Sequence, residues 1–245
     1  MNIALIPARA GSKRFPNKNL ALLENKPLIA YSIESALKTN EFTEVIVSTD
    51  DRKIADVAKE YGASVPMLRP SDISGDLSCD IEWLNHAINH MISSPLSLVK
   101  NLAILRPTNP LRSSNSIING LRALNSNKWA DSLRAMELTS KHPGKMWVID
   151  LNGKATPYLM QKNGLVPTHD SPLQTLERLW VQNASLEIVR LKAVLETGTI
   201  SGDAVLSFEM PGLEGYDINS IEDFNYLQFL VSKDPRLLET SSEVN

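Results

Sequence analysis

The stretch NIALIPARAGSKRFPNKNLALLENKPLIAYSIESALKTNEFTEVIVSTD, residues 2–50, carries the first complete unit of the fold. NIALIPA is a short apolar run closed by proline, the pattern of a buried strand. PLIAYSIESALKTN places Leu28, Ile29, Ile33, Ala36 and Leu37 at helical spacing. EVIVSTD is β-branched and apolar again, so the order is strand, loop, helix, strand. Downstream the rhythm repeats. DRKIADVAKEYG reads as a helix stopped by Gly62, and ASVPML as a short strand. After the polar loop RPSDISGDLSCD, IEWLNHAINHMI returns to helical period. NLAILRP gives a further strand, and SSNSIINGLRAL a helix with serines at its start. Strands joined by helices of this length imply right-handed crossovers and an α/β, mostly parallel sheet with helices on both faces. Ligands of such sheets bind beyond the carboxyl ends of the strands.

From about Ser140 the rhythm breaks. SKHPGKMWVIDLNGKATPYLMQKNGLVPTHDSPLQTLERLW is rich in Pro, Gly, Asn and aromatics, with strand-like pieces and no long helix. Residues 140–182 read as an insertion within one 1–245 domain. Regular character returns with SLEIVRLKAVLETG, VLSFEMP and SIEDFNYLQFLVSKDP. The last of these is a helix with Ile221, Phe224, Leu227, Gln228 and Val231 near one face. ETSSEVN reads as a frayed tail.

With 245 residues, 42% of them hydrophobic, the chain buries enough surface to fold without staples. Its one cysteine, Cys79, cannot form an internal disulfide. The six-residue apolar run after Met1-Asn2 is too short for a signal peptide, and no segment approaches the roughly 20 apolar residues of a membrane span. The expectation is a cytoplasmic enzyme. A net charge of -3 argues against nucleic acid or an anionic membrane as partner.

Against that acidic balance, Arg9, Lys13, Arg14 and Lys18 fall within ten positions of the loop after the first strand. Such a loop lies at the ligand edge of the sheet. Four cations, with Gly11 and Ser12 permitting close backbone approach, suit a polyphosphate. The loop is neither a Walker A sequence nor GxGxxG. The other reading is a solvated basic loop, and Arg14 and Phe15 are assigned to it.

IPARAGSKRFPNKNL resembles the N-terminal signature I-P-A-R-x-x-S-K-x-x-x-x-K-N-L of the acylneuraminate cytidylyltransferases, the CMP-sialic acid and CMP-nonulosonate synthetases. KPLIAYSI, VIVSTDD, LRPSDIS, LRPTNPLR, HPGK and GYDINSIEDF follow in that family's order. The resemblance implies a Rossmann-like nucleotide-diphospho-sugar transferase fold and a protruding segment that makes a homodimer. It also implies transfer of CMP from CTP to the anomeric hydroxyl of an acidic nine-carbon sugar, with Mg²⁺ as cofactor. Carried over by position, Arg9, Lys13 and Lys18 act on the triphosphate together with Ser12. Asn19 and Arg69 lie near cytosine and ribose, and Ser78 or Asp80 helps fix the nucleotide.

The chain also departs from the pattern. Relatives carry D-I-D where this sequence has Asp217-Ile218-Asn219, so the Mg²⁺ site keeps one carboxylate and gains an amide. Asn219 or Ser220 equally caps the helix that follows, Ser220 with Asp223 forming a capping box. Lys145 of HPGK matches a lysine near the sugar, but Leu173 stands where relatives place an arginine, leaving Arg178 or another residue to meet the sugar carboxylate. Asn183 keeps its motif position, as a sugar contact or as part of a turn; Ala184 and Glu187 replace a glycine and a tyrosine. The acceptor is therefore open among N-acetylneuraminic, legionaminic and pseudaminic acids. A 3-deoxy-octulosonic acid enzyme and a relative impaired in catalysis are the alternatives. Asp50 or Asp51 caps a helix or faces the cleft, and His86 and His90 read as surface residues. Trp83, Trp147 and Trp180 read as core or interface.

Overall fold

The computed structural model describes residues 1–160, 162–163 and 166–238; the tail expected to fray, from residue 239, lies outside them. The chain divides into two compact units, Met1–Met136 with Asn183–Asn245, and Glu137–Gln182.

Six strands build the main sheet: β1 (Asn2–Pro7), β2 (Glu44–Ser48), β3 (Asn101–Ile104), β4 (Ser132–Leu138), β5 (Trp180–Arg190) and β6 (Val205–Glu209), in the spatial order β2-β1-β3-β5-β4-β6. β1 runs parallel to β2 and β3, with Leu5 opposite both Ile46 and Ile104. β6 is parallel to β4, whereas β5 runs antiparallel to β3. The sheet is therefore mixed and mostly parallel. Alternation along β1 sorts its side chains: Ala4 and Ile6 join one buried cluster, Ile3 and Leu5 the other. Helices α1 (Leu28–Lys38), α2 (Arg52–Glu60) and α4 (Ser114–Ser126) contribute to the first, and α3 (Asp80–His90) and α5 (Leu191–Thr197) to the second. Both faces are covered, as the long apolar strands require.

Several local details differ from the expectations. ASVPML forms no sheet strand; Ser64 makes a single bridge to Ile46, because Pro66 ends the run. Phe15, expected in a solvated loop, is buried, its ring 5.2 Å from that of Phe224. It belongs to a third cluster with Leu28, Leu111, Ile218 and Leu227, built under α6 (Ile221–Lys233). On α6, Phe224, Leu227 and Val231 are buried and Ile221 is exposed. Ser220 caps α6 by accepting from Asp223 N at 3.3 Å, while Asp223 Oδ2 accepts from Ser220 N at 2.8 Å.

Among the described residues the second unit holds two antiparallel strand pairs, Trp147–Ile149 with Ala155–Pro157 and Lys162–Asn163 with Val166–Pro167, plus one-turn 3-10 segments. Trp147, Val148, Ile149, Leu151, Tyr158 and Met160 of this unit are exposed. Among the described residues no helix is long and apolar enough to cross a membrane.

Candidate active site

The loop leaving β1 is held by its own backbone and by one buried amide. Ala8 N donates to Ser48 O at 2.9 Å, Ala10 N to the Asp50 carboxylate at 2.9 Å, and Asn19 Nδ2 to Arg9 O at 3.0 Å. Asn17 takes a left-handed conformation, φ 56°, that asparagine tolerates, and a 3-10 turn over Lys18–Leu20 follows. With Phe15 anchored in the core, the cations on either side of it face a cleft of about 570 Å³. Arg9, Ser12, Lys13, Arg14, Lys18 and Asn19 line it. Arg14, expected to be surface charge only, is exposed and yet belongs to this wall, where it donates to Asn219 Oδ1 at 3.2 Å.

A carboxylate sits between two of the cations. Asp76, from the loop between α2 and α3, accepts from Arg9 Nη1 at 2.8 Å and pairs with Lys13 Nζ at 2.5 Å. These hydrogen bonds, Lys13 first, hold its pKa below the ordinary carboxylate value. Lys18 is more enclosed and donates to Ile218 O at 2.8 Å. Burial is the main cause of its lowered pKa; Asp217 opposes that shift, and Arg14 and Arg9 add to it.

The opposite wall is built from strand ends. Arg69 donates to Ser48 Oγ at 3.1 Å and to Ser48 O at 2.8 Å, and its guanidinium lies 5.6 Å from the centre of the Trp83 ring. Burial pushes its pKa down to about 10, still cationic at neutral pH. Ser78 Oγ accepts from Gly75 N and shapes the loop that carries Asp76. Asp80, the first residue of α3, accepts from Trp83 Nε1 at 2.8 Å and from Arg106 Nη2 at 2.7 Å. Burial disfavours its charge, but Arg106 outweighs that and lowers the pKa. Arg106, just past β3, is anchored again by Glu187 Oε1, which accepts from Nε at 3.1 Å and Nη2 at 3.0 Å. Arg134 Nη1 donates to the other Glu187 oxygen at 2.7 Å. Arg106 and Glu187 were not among the expected site residues; Glu187 stands opposite Ile104, two positions before Arg106, and the only signal in the sequence was a charged residue within each of two apolar strand segments.

Asp217 and Asn219 lie side by side, and the amide faces the carboxylate. Asn219 Nδ2 donates to Asp217 Oδ2 at 2.7 Å, and its carbonyl accepts from Arg14 at 3.2 Å. Asp217 Oδ1, by contrast, is buried with no hydrogen-bond partner. One carboxylate oxygen is thus free for a hard cation. Among the described residues no three His, Cys, Asp or Glu side chains gather to hold a metal by themselves.

Other expected residues have different tasks. Asn183 is buried with both ends engaged, donating to Met210 O at 2.9 Å and accepting from Ser185 Oγ at 2.8 Å. It braces β5 where Ala184 turns left-handed, φ 58°. Asp51 caps α2 by accepting from Ile54 N at 2.9 Å. His86 is buried rather than at the surface, its ring 5.2 Å from that of His90. Lys145 and Arg178 belong to the second unit. There Lys145 Nζ donates to His169 O and Ser171 O at 2.8 and 2.5 Å, and Arg178 lies over the Trp180 ring at 5.7 Å.

A family model described as cytidylyltransferase matches residues 3–141, more than half of the chain and the whole basic loop. The chain belongs to the cytidylyltransferase family. This cytidylyltransferase-family chain is 44% identical to the CMP-N,N'-diacetyllegionaminic acid synthase of Legionella pneumophila over 115 residues, 47% of this chain and 49% of that protein. It is 41% identical to the N-acylneuraminate cytidylyltransferase of Escherichia coli over 120 residues, 49% of this chain and 27% of that protein. The matches span half or less of the length of these curated relatives. A solved structure of CMP:2-keto-3-deoxy-manno-octonic acid synthetase complexed with CTP matches with a TM-score of 0.65 at 15% identity, over 95% of this chain and 99% of that one. That likeness is one of fold.

Proposed function

We propose that the protein transfers CMP from CTP to the anomeric hydroxyl of a nonulosonic acid and releases pyrophosphate. The observation that carries this reading is the convergence of Arg9, Lys13, Arg14 and Lys18 on one cleft at the carboxyl edge of β1 and β3. Attack of the sugar hydroxyl on the α-phosphorus breaks the bond to the β-phosphate oxygen, and negative charge grows on the departing pyrophosphate. Cations aimed at the β- and γ-phosphates lower the energy of that transition state more than that of bound CTP. Lys18, fixed by Ile218 O, is oriented before the nucleotide arrives, whereas Arg9 is held by Asp76 until phosphate takes the place of that carboxylate. Asn19 holds the loop in shape, Ser12 Oγ offers a phosphate donor, and Arg69 against Trp83 meets the nucleoside end. Asp217 Oδ1, with Asn219 at its other oxygen, is the group that would hold Mg²⁺, phosphate oxygens and water completing the set. When bound, Mg²⁺ neutralises phosphate charge and favours pyrophosphate departure. The cytoplasm is the compartment this reading expects, where CTP is at hand.

Incubation with CTP, Mg²⁺ and a panel of legionaminic, pseudaminic, N-acetylneuraminic and 3-deoxy-octulosonic acids tests the reading. Pyrophosphate release with a nine-carbon acid is expected; CTP binding without turnover on any acid would overturn it. A further expected result concerns Asp76. Because triphosphate must displace this carboxylate from Arg9 and Lys13, Asp76→Ala is expected to bind CTP about two- to fivefold tighter, as befits an exposed pair, read by calorimetry. Weaker binding would show that Asp76 shapes the site rather than competes for it.

The second unit supports a homodimer. Its exposed Trp147, Val148, Ile149 and Met160 exceed what so small a unit can bury alone, and a second copy of the chain would cover them. Sedimentation is expected to give a dimer at micromolar concentration.

A further inference from the structure

We propose that Arg106 receives the carboxylate of the acceptor sugar, taking the task left open by Leu173; this rests on the functional reading above. Leu173 is an exposed leucine in the second unit and offers no charge. Arg106 is different in kind from the cations of the basic loop. It follows β3 at the ligand edge of the sheet and lines the cleft with a quarter of its side chain exposed. Two of its three nitrogens are committed: Nε and Nη2 to Glu187, and Nη2 also to Asp80. Among the described residues Nη1 has no hydrogen-bond acceptor, so its two N–H bonds are the part of the fork left for a ligand. Burial works against the charge of Arg106, but Glu187 and Asp80 more than restore it.

The same carboxylates decide which anion fits. Asp80 and Glu187 bring two negative charges against the guanidinium, so a dense triphosphate gains little there and is repelled by Asp80, which lines the cleft itself. A singly charged, planar carboxylate needs only an oriented donor, and the anchoring of Nε and Nη2 supplies the orientation in advance. The loop cations Arg9 and Lys13, which share the partly exposed carboxylate of Asp76, remain for the phosphates. Two kinds of anion are thus sorted by two kinds of cation.

The test uses saturating CTP with Mg²⁺ and two acceptors, N,N'-diacetyllegionaminic acid and its C1 amide, which has nearly the same shape but no charge and one acceptor oxygen fewer. The wild type is expected to prefer the acid by about 10- to 100-fold in kcat/KM, the worth of one charge-assisted bond. Arg106→Gln is expected to erase that preference by losing turnover of the acid alone, with the KM for CTP within about twofold of the wild type. Arg106→Lys, which keeps the charge and the fold but not the fixed fork, is expected to keep part of the preference. Equal losses on acid and amide, or a KM for CTP that rises with them, would overturn the proposal while leaving the functional reading intact. A wild type that releases no pyrophosphate with any acid overturns both.

Discussion

Lys18→Ala is expected to lower kcat/KM for CTP by about 10²- to 10³-fold, the loss typical of removing one preorganised donor from a developing anion. Lys18 stands out in the basic loop because it is half-buried and fixed by a carbonyl, whereas the Lys13 side chain is 82% exposed and paired with Asp76. A charge held in a less watery place acts more strongly on a phosphate, and its geometry is set before binding. The same burial lowers its pKa, and the sign of the consequence is fixed. Deprotonation removes the positive charge, so activity falls as pH rises through a value below that of an ordinary lysine. Lys18→Arg keeps the charge at every accessible pH and is expected to lose that alkaline limb while keeping more turnover than the alanine variant. A pH profile of kcat/KM for the three proteins is the measurement. If Lys13→Ala costs as much as Lys18→Ala, burial is not what distinguishes the two.

How much of this was legible in the sequence follows from which forces act locally. Apart from ASVPML, the strands and helices of residues 2–126 could be read because apolar spacing and helix-stopping residues are properties of neighbours in the chain. The basic loop could be read because its position after β1 is itself a sequence feature. Phe15 was misread because its partner, Phe224, is more than two hundred positions away, and nothing near it signals an anchor. Asp76 lies in a polar loop without periodicity, and only the fold brings its carboxylate against Arg9 and Lys13. The β4 segment SLRAMEL carries Arg134 within a buried strand, a choice that makes sense only once Glu187 stands beside it. Asn183 was open between a sugar contact and part of a turn; the structure places it beside the left-handed Ala184, with its amide bonded to Met210 and Ser185. Local pattern thus gave the frame, and the long-range ionic pairs were out of its reach.

Those pairs make Glu187 the residue whose loss should cost the fold most. Its side chain is 5% exposed and accepts from Arg106 through one oxygen and Arg134 through the other. In Glu187→Ala both guanidiniums stay in place, as Arg106 is still tied to Asp80 and Arg134 to Ser201 Oγ at 2.8 Å, but each loses its buried counter-charge. Removing one member of a buried ionic cluster costs about 3–5 kcal/mol, since the charges left behind keep their desolvation penalty and lose their compensation. Glu187→Gln preserves the shape and one acceptor oxygen while turning two donor hydrogens toward an arginine, so it is expected to fall between wild type and alanine. Denaturant unfolding of the three proteins reads the order. Should Glu187→Ala prove as stable as wild type, the two arginines must find water or other acceptors at no cost, and the cluster would be serving the cleft alone. Should the order hold, the substitution of glutamate at this position is coupled to Arg106 and Arg134, and a sequence lacking either arginine is not expected to tolerate it.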